Sequence, residues 1–203
     1  MPNETPQPLG TLVMMHGMTG TSANMQPLAE RLVPSGWAVL CPQAEIEHPT
    51  RGGFAWWLRA EDPSLPLNEE SQGQVDQSMQ RVIGELPDGP LIVGGFSQGG
   101  AIASALLETD LQERIVGLVL LGTKTVRPQS LAERLPFLRP RPVVWMHGEH
   151  DHLVPMEHGV EHAEIFEAAG WPVFRLAHEK GHMVNLNQFD ELKAAIQRMA
   201  DSA

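Results

Sequence analysis

The sequence contains one cysteine, few basic residues and no long apolar run, and each shortage excludes a class of protein. Cys41 has no partner for an internal disulfide, and its place in the apolar run 37–41 predicts a small buried side chain. Only 14 residues are Lys or Arg against 25 Asp or Glu, which gives a formal net charge of −11. This balance, without any Lys/Arg run, argues against nucleic acid or an anionic membrane surface as the main partner.

No apolar run approaches the length of a membrane span, so we expect no stable membrane insertion. The stretch 1–8 is polar and rich in proline, and it lacks the apolar segment of a secretory signal. We therefore expect a cytoplasmic protein. The 203 residues suit one domain, 1–203, with a large single core, and no internal repeat or linker divides them.

Short apolar segments alternate with helical patterns about six times, which predicts an α/β fold. Near-continuous apolar runs such as 115–121 are typical of parallel strands that helices cover on both faces. We expect about six mostly parallel strands, at 9–15, 37–41, 91–93, 115–121, 142–146 and 172–176. Helices are predicted at 24–33 (capped by Asn24), 70–86, 101–107, 130–135, 156–169 and 186–199, with a further short helix near Trp56.

The segment 95–99, Gly-Phe-Ser-Gln-Gly, is a G-x-S-x-G motif between a predicted strand and a predicted helix. This arrangement is typical of a nucleophile elbow, a sharp turn that lifts the oxygen of Ser97 clear of the sheet. Gly99, Gly100 and Ala101 allow the helix to lie close to the strand. The helix N-terminus would direct its N–H groups at the negative charge that develops during acyl transfer.

A serine hydroxyl needs a base to take its proton, and the base must be oriented by a third group. Asp151 and His182 follow later strands, in the order Ser, Asp, His that this arrangement uses. We therefore expect Ser97 to attack the acyl carbon, His182 to act as general base and acid, and Asp151 to orient His182. Backbone N–H groups of Met18 and Gln98 would form the oxyanion hole.

Asp151 and His182 each have a rival. Glu149 competes with Asp151, but Asp151 lies deeper in its loop and precedes a turn closed by Pro155. His178 competes with His182, but it directly follows a predicted strand and could be partly paired into it. His16 is expected to anchor the oxyanion loop.

Two histidine-rich segments offer a metal-binding alternative. The stretch 147–152 is dense in His, Glu and Asp, and 158–162 matches the H-x-x-E-H pattern of some zinc peptidases. On a helix His158 and His162 would share a face, but a third ligand is not obvious. We expect this helix to flank the sheet with a solvated polar face, and we predict neither a metal nor a cofactor.

The chain resembles the α/β-hydrolases and, within them, the phospholipase/carboxylesterase family that includes the acyl-protein thioesterases. The resemblance lies in motifs that occur in the family's order along most of the chain. These are 15–18, 49–53, the pair Trp56-Trp57, 95–101, 147–155 and 181–182.

The resemblance implies the triad of Ser97, Asp151 and His182, and cofactor-free hydrolysis of carboxylic esters or thioesters. It also implies an oxyanion hole from Met18 and Gln98. Family members usually have Leu-Gly-Asp where this chain has 18–20, and Trp-Phe-Asp where it has 56–58. These departures favour a small bacterial-type esterase over an enzyme for long-chain acyl proteins. With no room before Leu9 for two leading strands, we expect a minimal six-stranded α/β-hydrolase fold with little or no lid.

Our first hypothesis is a serine carboxylesterase that acts on small or medium acyl esters. Phe54, Trp56 and Trp57, with Met18, would wall the acyl pocket, although both tryptophans could equally be core residues. A second hypothesis keeps the triad but changes the substrate to thioesters or lysophospholipids, and a third is a non-catalytic binding protein with this fold. The physiological substrate and the oligomeric state stay open.

Overall fold

The computed structural model describes residues 7–59 and 66–203. Its strands are β1 (Thr11–Met15), β2 (Ala38–Leu40), β3 (Ile46–Glu47), β4 (Phe54–Ala55), β5 (Leu91–Phe96), β6 (Ile115–Leu121), β7 (Val143–Gly148) and β8 (Val173–His178). Its α-helices are α1 (Ser22–Leu32), α2 (Glu69–Glu85), α3 (Gln98–Ala105), α4 (Pro128–Arg134), α5 (Met156–Ala168) and α6 (Phe189–Asp201). No helix in these ranges is long and apolar enough to cross a membrane.

Six strands form one sheet in the order β2-β1-β5-β6-β7-β8, and every neighbouring pair is parallel. The short strands β3 and β4 pair separately and antiparallel. The predicted α/β architecture of about six parallel strands is therefore confirmed. Because parallel strands present their carboxyl ends at one edge, every loop predicted to carry chemistry starts from that edge.

Alternate side chains of the strands enter two separate apolar layers. Leu12 and Met14 pack in the layer formed with α1 and α6, whereas Val13 and Met15 pack in the layer formed with α2, α3, α4 and α5. Both layers are closed to solvent at these four positions. A strand with two buried faces favours apolar residues at every position, which is why β1 is apolar from Leu12 to Met15.

The structure corrects three local predictions. No helix forms at Trp56 in 54–59; instead β4 ends at Ala55 and a bend follows. The first helix is capped by Thr21 and not by Asn24, because Thr21 Oγ accepts the backbone N–H of Asn24 at 3.1 Å. Cys41 is only partly buried, and burial together with the charge of Glu30 raises the pKa of its thiol to about 11.

The turn between β5 and α3 brings the helix against the backbone of β1. Ser97 has φ 53° and ψ −119°, a left-handed conformation that costs a non-glycine residue about 1–3 kcal/mol. A Cβ at Gly99 would overlap the carbonyl group of Met15, and one at Gly100 would lie 2.7 Å from Thr123 Cγ2. Only glycine at these positions permits the approach that holds the turn.

We expect Gly99→Ala to lower the free energy of unfolding by at least about 2 kcal/mol, because the added methyl group meets backbone that cannot move aside cheaply. Urea unfolding followed by circular dichroism measures the change. Gly73→Ala in α2 is the matched control, since nothing lies within 4 Å of its added methyl group. The control should gain about 0.5–1 kcal/mol. Equal stability of the two variants would contradict the packing argument.

His162 does not lie on a solvated face of α5, as the sequence predicted, but inside the core. Its side chain is fully buried, with its ring 5.6 Å from that of Phe166. Neither ring nitrogen has a hydrogen-bond partner of good geometry among the described residues. Burial lowers the pKa of His162 from 6.5 to about 3, and a weaker interaction with the backbone of Thr123 offsets only part of this effect.

This buried histidine makes stability fall in mild acid. Below a pKa of about 6.5 the unfolded chain takes up a proton that the folded His162 refuses until about pH 3, so the unfolding free energy drops across that window. Between pH 7 and 5 the loss from one such histidine is about 2 kcal/mol. His162→Leu should therefore lose about 2 kcal/mol less than the parent protein over this range.

Urea unfolding at the two pH values tests this expectation. His152→Gln is the control, because the side chain of His152 is exposed and the variant should keep the parent's pH dependence. An unchanged difference between pH 7 and 5 in His162→Leu would show that His162 is not the group responsible.

Candidate active site

Five connections that leave the carboxyl ends of parallel strands surround one cavity of about 540 Å³. They contribute Gly17, Met18 and Thr19 after β1, Ser97 and Gln98 after β5, 123–126 after β6, Leu153 and Val154 after β7, and His182 after β8. The convergence expected from a parallel sheet therefore brings Ser97 and His182 to the same cavity.

Asp151 and His182 form a direct contact at the wall of this cavity. His182 Nδ1 lies 2.6 Å from Asp151 Oδ2. The other carboxylate oxygen, Oδ1, accepts the backbone N–H groups of Leu153 at 2.9 Å and Val154 at 2.8 Å. The side chain of Asp151 is completely buried, while that of His182 is 13% exposed. This geometry presents the opposite ring nitrogen of His182, Nε2, as the one available for proton transfer.

The rivals of these two residues lie elsewhere. Glu149 is exposed, and its backbone N–H donates to the carbonyl of His178 at 2.8 Å. His178 is the last residue of β8, paired in register with Gly148 of β7. It is absent from the described lining of the cavity. The structure thus distinguishes Asp151 and His182 from both.

The backbone on both sides of the Ser97 side chain is tightly held. Its N–H donates to the carbonyl of Leu121 at 2.9 Å, and its carbonyl accepts the hydroxyl of Thr123 at 2.7 Å. Within 7–59 and 66–203, no hydrogen bond joins Ser97 Oγ to His182. Ser97 and His182 therefore line one cavity, but their side chains are not hydrogen-bonded to each other in this structure.

Two backbone N–H groups beside Ser97 have no hydrogen-bond acceptor in the described part of the chain. One belongs to Gln98, the first residue of α3, and the other to Met18. The loop of Met18 runs close to the elbow, because a Cβ added at Gly17 would lie 3.3 Å from Ser97 Cβ. Thr19, at φ 66°, donates its N–H to the carbonyl of Phe54 at 2.8 Å and holds this loop in place.

His16 also holds the loop that carries Met18 in place. Its Nε2 accepts the backbone N–H of Ala44 at 3.1 Å, so the ring is neutral and Nδ1 donates to the carbonyl of Gly17 at 2.8 Å. Burial lowers the pKa of His16, which keeps this neutral form. The structural role expected for His16 matches these contacts.

The three predicted substrate-binding side chains separate in the structure. Trp57 lines the cavity. Trp56 is fully buried, and its Nε1–H donates to the carbonyl of His16 at 2.7 Å. Phe54 packs against the apolar core and is not part of the described cavity lining.

The side chain of Gln98 makes two contacts that the sequence did not predict. Its side-chain oxygen accepts the N–H of Trp56 at 3.0 Å, and its amide donates to the carbonyl of Trp57 at 2.9 Å. Gln98 therefore ties the tryptophan segment to the elbow. Sequence analysis also missed the charged side chains of the cavity, which include Arg51, Lys124 and Glu161. The sequence signal that could have identified Lys124 as a cavity residue is its position just beyond the carboxyl end of β6.

The histidine-rich segments are dispersed and do not form a cluster. His147 is buried, with Nε2 2.8 Å from the carbonyl of Val154 and 3.5 Å from Asp151 Oδ2. His158 lines the cavity, whereas His162 lies in the core. Among the described residues, no three His, Cys, Asp or Glu side chains are placed to hold a metal ion.

Comparisons with known proteins agree with this architecture. Residues 3–199 match the model of the phospholipase/carboxylesterase family. Over 146 residues the chain is 27% identical to acyl-protein thioesterase 1 of Gibberella zeae, a match that covers 66% of this chain but only 62% of that protein. Over 165 residues it is 30% identical to acyl-protein thioesterase 1 of Cryptococcus neoformans, covering 73% and 69% of the two chains.

The fold has solved counterparts. The Bacillus cereus carboxylesterase superimposes with a TM-score of 0.74 at 19% identity, over 94% of this chain and 88% of that one. This likeness supports the fold, and the family match over 3–199 identifies the chain as a member of the phospholipase/carboxylesterase family of α/β-hydrolases.

Proposed function

We propose that this member of an ester-hydrolase family is a serine carboxylesterase that cleaves small or medium acyl esters. The observation that carries the proposal is the 2.6 Å contact between His182 Nδ1 and Asp151 Oδ2, at the wall of the cavity that Ser97 also lines. Nucleophilic acyl transfer needs a nucleophile, a base and a group that orients the base. This site offers a serine on a strained turn, a histidine, and a buried carboxylate that orients the histidine.

In the first half of the reaction, His182 Nε2 takes the proton of Ser97 Oγ as this oxygen bonds to the acyl carbon. The carbonyl oxygen becomes an oxyanion, which the N–H groups of Met18 and Gln98 stabilise. As the tetrahedral intermediate collapses, the bond to the leaving alcohol breaks and His182 gives that oxygen its proton. An acyl-enzyme on Ser97 remains.

In the second half, water attacks the acyl-enzyme. His182 takes one proton from the water, the same two N–H groups hold the second oxyanion, and the acid leaves as Ser97 Oγ recovers its proton. Asp151 stays ionised throughout, keeps the proton of His182 on Nδ1 and stabilises the imidazolium that forms twice in each cycle. No cofactor takes part in these steps.

The apolar parts of the cavity suit the acyl chain. Trp57, Leu67 and Leu153 line it, and Met18 and Phe96 lie beside Ser97. Trp57 is thus the member of the predicted substrate-binding set that we place against the acyl group. Trp56 and Phe54 do not contact the acyl group. Their hydrogen bonds, from Trp56 Nε1 to the carbonyl of His16 and from the N–H of Thr19 to the carbonyl of Phe54, hold the backbone of the neighbouring loop in place.

Thioester hydrolysis is the second candidate, favoured by the two fungal relatives that are named acyl-protein thioesterases. It would use the same residues, because only the leaving group changes from an alcohol to a thiol. Matched oxygen and sulfur esters of one acyl chain, assayed side by side, separate the two activities. Whichever ester has the higher kcat/KM identifies the activity.

We expect a fluorophosphonate probe to label Ser97, because only an activated serine reacts quickly with it. Mass spectrometry of the modified peptide locates the label, and Ser97→Ala should lose both labelling and esterase activity. Ser104→Ala is the matched control on the same helix, since within the described ranges its hydroxyl donates only to the carbonyl of Ala101, at 3.0 Å. A folded protein that does not label would instead favour the non-catalytic binding role.

We expect Asp151→Asn to lower kcat by about 10³–10⁴, because the amide stabilises the wrong tautomer of His182 and cannot stabilise its charged form. Steady-state kinetics on a 4-nitrophenyl ester measures the loss. Asp190→Asn, at an exposed position in the first turn of α6, is the control and should retain the parent rate. A fall of less than tenfold in Asp151→Asn would remove Asp151 from the mechanism.

A further inference from the structure

Among the described residues, the lining of the cavity beside Ser97 carries more basic than acidic side chains, whereas the chain as a whole is acidic. The chain carries 25 acidic and 14 basic side chains. Among the described residues of the cavity wall, the basic side chains are Arg51, Arg59 and Lys124, and the one acidic side chain is that of Glu161. Electrostatic attraction of a ligand depends on this local balance more than on the net charge of the molecule.

Lys124 is held close to the reacting serine by its neighbour in the chain. The hydroxyl of Thr123 donates to the carbonyl of Ser97 at 2.7 Å, and Lys124 is the next residue. The side chain of Lys124 is partly buried and lines the same cavity as Ser97. The backbone of Lys124 is therefore anchored to the elbow through the residue that precedes it.

No carboxylate compensates Lys124 at close range. Within the described ranges, none lies within ion-pair distance of its ammonium group. Burial lowers the pKa of Lys124, the charge of Arg59 lowers it further, and the charge of Glu161 raises it. Glu161 is itself 59% exposed and lies 3.9 Å from a ring nitrogen of His158. A partly buried ammonium group with no carboxylate in direct contact has lost part of its hydration, and a bound anion would compensate that loss.

We propose that the substrate of this site carries a negatively charged group, such as a carboxylate, which Lys124 binds while Ser97 attacks the ester. The inference rests on the proposed serine esterase activity and specifies its substrate class. Arg51, an exposed residue of the cavity lining, adds a second positive charge. The apolar wall accommodates the carbon chain that joins the ester to the anion.

The anion could belong to the acyl part or to the alcohol part, and two pairs of esters distinguish these sources. The acyl pair is 4-nitrophenyl hydrogen adipate and 4-nitrophenyl hexanoate, which have equal chain length and differ in a terminal carboxylate. The alcohol pair is 3-carboxyphenyl hexanoate and phenyl hexanoate. For each pair the measured quantity is the ratio of kcat/KM for the anionic ester to kcat/KM for the neutral one.

We expect Lys124→Met to lower this ratio about tenfold in one of the two pairs, the size of a single charge-assisted hydrogen bond. Lys124→Arg should keep most of the ratio, because it retains the charge. Lys193→Met, at an exposed position on α6, removes a lysine far from the cavity wall and should leave both ratios at the parent value. The ratio is internal to each variant, so partial loss of active protein does not alter it.

The outcomes separate this proposal from the proposed activity. Hydrolysis of the neutral esters that depends on Ser97, with both ratios unchanged in Lys124→Met, would overturn the anionic substrate and leave the esterase in place. Absence of hydrolysis that depends on Ser97 with all four esters would overturn both proposals. A lowered ratio in the acyl pair assigns the anion to the acyl group, and a lowered ratio in the alcohol pair assigns it to the leaving group.

Discussion

The left-handed backbone of Ser97 is the constraint on which the rest of the structure depends. At φ 53° and ψ −119° it stores strain that the surroundings must offset. They do so through the close packing of α3 on β1 at Gly99 and through the Thr123 hydroxyl that holds the carbonyl of Ser97. The same packing places Gln98, at the N-terminus of α3, in the wall of the cavity, so the strain and the oxyanion stabilisation that we propose have one origin.

Buried histidines on either side of the site give its loops a fixed position. His16 bonds the carbonyl of Gly17 at 2.8 Å and lies under the loop that carries Met18. His147 bonds the carbonyl of Val154 at 2.8 Å, in the turn whose N–H groups hold Asp151. Burial lowers the pKa of both rings, which favours their neutral forms and keeps these hydrogen bonds to the backbone.

The cavity combines two chemistries that a single substrate would have to match. Its apolar side, formed by Trp57, Leu67 and Leu153, suits a carbon chain, and its basic side, at Lys124 and Arg51, suits a negative charge. Neither feature is specific to the family fold, because both come from loops and not from the strands that define the architecture. Variation in these loops can therefore change the substrate while the Asp151–His182 contact is kept.

Local patterns in the chain were enough to predict the sheet and the placement of Ser97, Asp151 and His182. Apolar runs identify strands, and the loops after parallel strands all leave from the same edge of the sheet, so the convergence of these residues can be predicted without coordinates. The locations of the side chains of Trp56, His162 and Lys124 could not be predicted in this way. Whether such a side chain lies in the core or in the cavity depends on contacts between distant segments, such as Gln98 with the backbone of Trp56 and Trp57.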